Sequence, residues 1–198
     1  MLTRKQKDKI HVATSLCLKE TGFEKMTLKR VANKSGVNEK KLKEEYKDIN
    51  CLMREMMSRG IDHVTELLEK SLNARGKADV KISRFVKSLL EDYESHAPLF
   101  KLVSINFETL NKDSLLMRDL LTQDQIDRYR RNTMIIGRII AEGQSEGIFR
   151  KADPLECAFF LRGLIYSVIL YWSATKYEGS LEDFADRVMR IFLTGIYK

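Results

Sequence analysis

Proline is nearly absent from this chain of 198 residues, with two copies, and glycine is sparse, with ten. So few chain breakers exclude a collagen-like chain or a Pro/Gly-rich linker. They also argue against an all-β sandwich, which needs many turns. Cysteine is scarce as well: Cys17, Cys51 and Cys157 stand far apart, odd in number and without a Cys-x-x-Cys pair. A disulfide framework is therefore not expected, and a reducing cytoplasm suits the chain. The opening MLTRKQKDKI lacks an apolar stretch, so no secretion signal is expected there. The charge-free run Gly163 to Thr175 sits between Arg162 and Lys176. That is shorter than the roughly 20 residues of a membrane span, so a buried helix and no membrane partner are expected.

Catalytic signatures are missing too. No G-x-G-x-x-G, P-loop or G-x-S-x-G motif occurs, and Gly137, Gly143 and Gly147 are spaced too widely to cradle a phosphate. His11, His63 and His96 fall in three different predicted helices without an H-x-x-x-H or Cys/His spacing, so no metal site is expected. Acidic pairs such as Glu91-Asp92 and Glu182-Asp183 read as solvated helix faces. The expectation is a protein that is not an enzyme and carries no cofactor.

What the chain does have is an uneven charge. Hydrophobic residues make 43% and charged residues 32%, with a net charge of +7, a soluble globular balance. Residues 1–50 hold 13 Lys/Arg against 7 Asp/Glu, whereas residues 51–198 hold 22 against 21. Nearly all the positive excess lies in the first quarter, which points to a nucleic-acid-facing segment on a near-neutral body. The boundary divides the chain into a domain of residues 1–50 and one of residues 51–198.

Helical periodicity runs almost throughout, so the fold class is all-α with about nine helices. Ile10, Ala13, Leu16 and Cys17 give the first an apolar face, closed by Gly22 with Phe23 as the contact after it. Thr27 is placed to cap a second helix and Asn38 a third, and Asp48 or Asn50 a fourth. Asn73-Ala-Arg-Gly76 breaks the chain. The next helix is expected to stop near His96, with Ala97-Pro98 restarting the chain, and Asn111-Lys-Asp113 breaking it again. A long helix from about Ser114 ends at Gly147. Asp153-Pro154 opens another, to about Tyr177, and Ser180 with Asp183 resembles a capping box before the last helix.

Residues 27–46, TLKRVANKSGVNEKKLKEEY, form two short helices around Gly36. Leu28, Val31, Ala32, Val37, Leu42 and Tyr46 point inward. This is the pattern of a helix-turn-helix, in which small Ala32 lets the helices cross and Gly36 supplies the turn. Thr27 and Lys29, at the start of the first of these helices, suit a phosphate. Asn38, Glu39, Lys40 and Lys41 open the second and are the candidate base readers, since Asn pairs with adenine and Lys with guanine. Lys40–Glu44 and Lys41–Glu45 are candidate i,i+4 ion pairs. Arg4, Lys5, Lys7 and Lys9 form a possible electrostatic arm.

Ile10, Ala13, Leu18, Gly22-Phe23, Thr27-Leu28, Val31-Ala32, Gly36-Val37, Leu42, Tyr46 and Leu52 together resemble the DNA-binding domain of the tetracycline-repressor (TetR) family. The stretch AEGQSEGIFRKADPLECAFFLRG resembles the family's C-terminal part. The resemblance implies a ligand-responsive transcriptional regulator of the bacterial cytoplasm, most commonly a repressor. It would bind double-stranded operator DNA as a homodimer and leave it when a small-molecule effector binds. It also places Lys43, Tyr46 and Lys47 among the DNA contacts and sets Glu45 near a phosphate, where its charge would oppose binding.

The segment Pro154 to Tyr177 is apolar on more than one face, and a helix apolar all round must be covered on all sides. Phe160, Leu164, Val168 and Tyr171, with Phe192 from the last helix, are the candidate dimerisation residues. Gly163 and Ser167 would admit a second helix closely. The resemblance implies that the last two helices build a four-helix bundle with a partner. Met53, Met56, Met57, Phe85, Tyr93, Phe100, Phe107 and Trp172 could line an effector cavity, or serve as ordinary core. A second reading also stands: a helical dimer of the same type that has lost DNA binding and acts as a ligand-binding or protein-interaction module.

Overall fold

The computed structural model describes residues 2–22, 25–108, 122–175 and 177–196, with the side chains of Lys19 and residues 95–108 outside that description. Eight α-helices and one short 3-10 turn account for nearly all of them. They are α1 (Arg4–Thr21), α2 (Leu28–Ser35), α3 (Glu39–Glu45), α4 (Ile49–Leu72), α5 (Ala78–Glu108), α6 (Gln123–Ser145), α7 (Pro154–Thr175) and α8 (Ala185–Ile196). The fold is all-α, as the periodicity requires, and no strand occurs among the described residues. Two compact units are present: Met1–Gly60 with Pro98–Thr122, and Ile61–Ala97 with Gln123–Lys198.

In the first unit, α1, α2, α3 and the start of α4 close on one apolar cluster. Ile10, Val31, Leu42, Leu52 and Met53 are sealed there, with Ala13, Cys17, Leu18 and Ala32 around them. Leu16 is 41% exposed, against the expectation that it shares the face of Ile10. Six helical positions carry it about 120° off that face, and Leu18 fills the core instead. Met53, Met56 and Met57 belong to this cluster and are core rather than cavity lining. Caps fix the short helices. Thr27 Oγ1 accepts from the Arg30 amide at 3.2 Å, Asn38 Oδ1 from those of Lys40 (2.9 Å) and Lys41 (3.4 Å), and Asp48 Oδ1 from that of Cys51 at 2.8 Å. Gly36 takes the left-handed conformation, φ 67°, that lets α2 end at Ser35 and α3 start at Glu39. Thr3 and Gln6 add a capping box at the start of α1. The T-x-x-Q spacing is its signal in the sequence, one that the apolar pattern of α1 does not show.

In the second unit, α6 and α7 pack along their length, with α8 beside α7. Ile136, Ile139 and Ile140 of α6 and Leu161, Ile165 and Ile169 of α7 are buried apolar rows on these two packed helices. Phe85 and Tyr93 are buried core residues of α5, whereas Phe100 and Phe107 lie outside the described side chains. Asp153 caps α7, its Oδ1 accepting from the Leu155 amide at 2.7 Å. Ser180 and Asp183 form the anticipated reciprocal box at 3.1 and 3.3 Å. Gly143 is required by contact: a Cβ there would stand 2.3 Å from the buried ring of Phe149 and 2.9 Å from Ala78 Cβ. The Ala78 amide donates to Glu146 Oε2 at 3.2 Å, and Lys81 pairs with Glu142 at 2.6 Å. These two bonds tie α5 to the end of α6.

Two expectations about the helices need correction. α5 runs through Pro98 rather than stopping near His96. Proline removes one amide, the one that would bond the Glu94 carbonyl, and the rest of a long ladder survives that loss. The boundary between the two units falls there, between Ala97 and Pro98. α7 is not a buried helix: Leu155, Phe159, Phe160 and Tyr171 are 45–60% exposed. By length and composition α7 would suffice to cross a membrane, with a mean hydropathy of 1.5 over an 18-residue window. The charge-free run alone suggests a shorter segment. The contact expected of Phe23 and the break expected at 111–113 lie outside the described residues.

Candidate nucleic-acid interface

The first unit presents α3 outward. Leu42 is its only fully buried side chain, and Lys40, Lys41, Lys43, Glu44 and the following Lys47 are exposed. A seven-residue helix anchored by one leucine, one cap and one glycine turn holds its cations toward solvent. Lys40 and Lys41 enter no ion pair among the described residues. The pairing anticipated with Glu44 and Glu45 does not form; Lys43 pairs instead with Glu39 at 2.7 Å. The start of α2 lies in the same unit, with Thr27 and Lys29 exposed.

Two of the candidate contacts, Asn38 and Tyr46, have other occupations, and so does Glu45. Asn38 spends its side-chain oxygen on the α3 amides, so the two-point pairing with adenine is closed to it while it caps. Tyr46 is 3% exposed and belongs to the core. Burial pushes its phenol well above the ordinary range, with the Glu55 carboxylate adding to the shift. Glu45 is turned away from the outer face. Its carboxylate pairs with Lys7 at 2.7 Å and accepts from the Leu2 amide at 3.4 Å.

That turn reveals a polar junction that local sequence patterns do not show. Lys7 also lies 3.7 Å from Glu55, and Arg59 lies 3.5 Å from Glu55 and 3.8 Å from Asp8. Arg59 Nη1 donates to His11 Nδ1 at 2.9 Å, which leaves the imidazole proton on Nε2, 3.3 Å from Glu55 Oε1. Burial, with the Arg59 charge beside it, holds His11 below the usual imidazole range. The hydrogen bond from Lys7 holds Glu45 below the usual carboxylate range, and Lys7 is raised in return. The junction ties the end of α3 to α1 and the start of α4.

The predicted repulsion of phosphate by Glu45 therefore loses its geometric basis. Glu45→Gln should leave DNA affinity unimproved and lower the stability of the head by less than about 1 kcal/mol, the scale of a part-exposed pair. The sign follows from a carboxyl with a lowered folded pKa: its contribution is present above the ordinary carboxylate value and fades as pH falls through the lowered one. Thermal unfolding of both proteins should differ near neutral pH and coincide in acid.

In the second unit, Phe160 is 60% and Tyr171 51% exposed, with Leu164 and Val168 half-buried between them. A Cβ added to Gly163 would meet nothing within 4 Å. Phe192 is turned into the core at 4% exposure, and Ile191 beside it is 60% exposed instead. The outward face of α7 and α8 is thus Phe160, Leu164, Val168, Tyr171 and Ile191. A shallow depression of about 290 Å³ lies between α1 and α2, lined by Cys17, Glu20, Thr21, Arg30, Asn33 and Lys34. The Lys34–Glu20 ion pair crosses it at 2.5 Å. No three His, Cys, Asp or Glu residues gather as metal ligands among the described residues.

Solved structures of other proteins share this architecture. FadR of Bacillus halodurans, a fatty acid degradation regulator, superimposes with a TM-score of 0.82 over 98% of each chain at 13% identity. The TetR-family transcriptional regulator PfmR of Thermus thermophilus gives 0.77 over 96% of this chain and 99% of its own, at 17% identity. FadR of Bacillus subtilis, solved with stearoyl-CoA, gives 0.75 over 96% and 99%, at 15% identity. No family model and no curated protein sequence matches the chain. The chain thus has the fold of these solved structures, the TetR-type fold.

Proposed function

We propose that the chain is a ligand-responsive transcriptional regulator, most plainly a repressor, which binds operator DNA as a homodimer and is released by a small molecule. The observation that carries this reading is α3 itself: its apolar residue is sealed, its turn and cap are built, and Lys40 and Lys41 are exposed and pair with no carboxylate among the described residues. In this reading residues 1–50 are the DNA-binding domain and residues 51–198 the effector-binding and dimerisation domain. Lys40 and Lys41 read base edges. Thr27, Lys29, Lys43 and Lys47 border the phosphates, with Lys43 free to exchange Glu39 for a phosphate. Glu39 orients Lys43, and Asn38 and Tyr46 position the helix rather than touch DNA.

The uncovered face of α7 and α8 is the dimer surface, which accounts for an apolar helix without a membrane and suits a cytoplasmic protein. Two-fold pairing also sets two reading helices on one duplex, about one turn apart. Phe160→Glu should convert the dimer to monomers in sedimentation while the helical content stays, since the side chain meets solvent in the single chain. A dimer unaffected by this charge would place the interface elsewhere.

Selection from a random duplex pool at two salt concentrations tests the function. A regulator recovers a common two-fold sequence and loses affinity steeply with salt. Recovery of no common sequence would favour the module that has lost DNA binding. No catalytic role is proposed for any residue.

A further inference from the structure

Arg162 of α7 is a cation without a counter-ion among the described residues. Its guanidinium is largely withdrawn from solvent, stacks on the Tyr129 ring with the carbon 3.6 Å from the centroid, and donates to the Thr133 hydroxyl. Burial alone lowers its pKa to about 10. Five N–H donors on a planar fork with one hydroxyl accepted leave most of the recognition capacity of the group unused. None of its nitrogens is both sealed from solvent and unpartnered; the free side of the fork keeps an opening.

The stripe of α7 that carries Arg162 is largely apolar. Leu155, Phe159, Arg162 and Tyr166 recur at i, i+4, i+7 and i+11, one stripe of α7. Leu155 is 45%, Phe159 58% and Tyr129 41% exposed. This stripe is distinct from the Phe160, Leu164 and Tyr171 face. A largely withdrawn charge is costly to keep without a counter-ion, and an arriving carboxylate would supply both that charge and a second hydrogen bond.

We propose that Arg162, with Thr133 and Tyr129, forms an anion site for an organic monocarboxylate whose apolar body lies along Leu155 and Phe159. The inference rests on the regulator reading only in calling this molecule the effector; the site itself stands on the α6–α7 geometry. A carboxylate from a second copy of this chain is the rival occupant. The withdrawn position of the guanidinium, between two helices of its own chain, favours the slimmer guest.

Calorimetry of the full chain without DNA tests it, with octanoate, decanoate and 4-phenylbutyrate each compared with its own alcohol. At least one acid should bind ten-fold or more tighter than its alcohol. Arg162→Met should erase that preference while sedimentation still shows the wild-type assembly, and Arg162→Lys should retain part of it, which excludes a mere folding defect. Three acids that bind no better than their alcohols would overturn the site. So would an Arg162→Met variant that keeps the preference, or one that loses it only together with the dimer. Because DNA is absent, failure here leaves the regulator reading untouched, and failure to select an operator leaves this site untouched.

Discussion

Replacing Lys40 and Lys41 together with alanine should all but remove specific DNA binding. If each reads a base edge, each contributes about 1–3 kcal/mol of discrimination, so the pair is worth up to several powers of ten in affinity. Both side chains are exposed and pair with no carboxylate among the described residues. Leu42 and the Asn38 cap are left intact, so thermal stability should hardly change. Fluorescence anisotropy on the selected duplex, repeated across salt, separates two ways in which the loss could arise. Loss of base reading relaxes the sequence preference with a nearly constant salt slope. Loss of phosphate contacts weakens all sequences alike and reduces the slope by about one per lysine. Affinity unchanged in both respects would remove α3 from the interface.

The second large effect is on stability. Phe149 is 2% exposed, and its ring occupies the space that a side chain on residue 143 would need. Phe149→Ala should cost about 3–5 kcal/mol through lost burial and the cavity left behind, roughly 6–20 °C in Tm for a chain of this size. Gly143→Ala should cost about 1–3 kcal/mol by overpacking. The double variant should be less destabilised than the sum of the two losses, because removing the ring removes the closer of the two clashes and leaves only that with Ala78. Differential scanning calorimetry of the four proteins checks this. Strict additivity would show that residue 143 and the ring do not meet.

The sequence is most readable where the signal is local. Thr27, Asn38, Asp48, Asp153 and the Ser180–Asp183 pair cap their helices as expected, because a cap needs only a short polar side chain one turn from free amides. Gly36 is readable for the same reason. Faces are readable to the accuracy of helical spacing: Ile10, Ala13 and Cys17 line up, while Leu16 falls off the stripe and Ile191, not Phe192, faces out. Periodicity identifies an apolar residue; it does not say whether its own core or a partner will cover it.

Long-range polar contacts are not readable in this way. Glu45 finds Lys7 across 38 positions of chain, and His11 finds Arg59 across 48. Nothing at either end specifies the other, so in the sequence Glu45 looks like a charge beside DNA. Tyr46 is the converse case. Its amphipathic side chain allows either a phosphate contact or a core position, and the junction with α4 decides for the core. Arg162 carries a weak signal, a lone cation beside a long apolar run. The spacing marks where that run begins but not what the cation meets.

A pair of cationic reading heads joined by apolar helices is tested most directly by the mass, in sedimentation equilibrium, of the complex between the full chain and the selected duplex. Two chains should bind per duplex on half-sites whose centres lie about one helical turn apart, roughly 34–36 Å, and the complex should dissociate when one half-site is scrambled. A single chain bound per duplex, with the same affinity for intact and scrambled sites, would contradict that pairing.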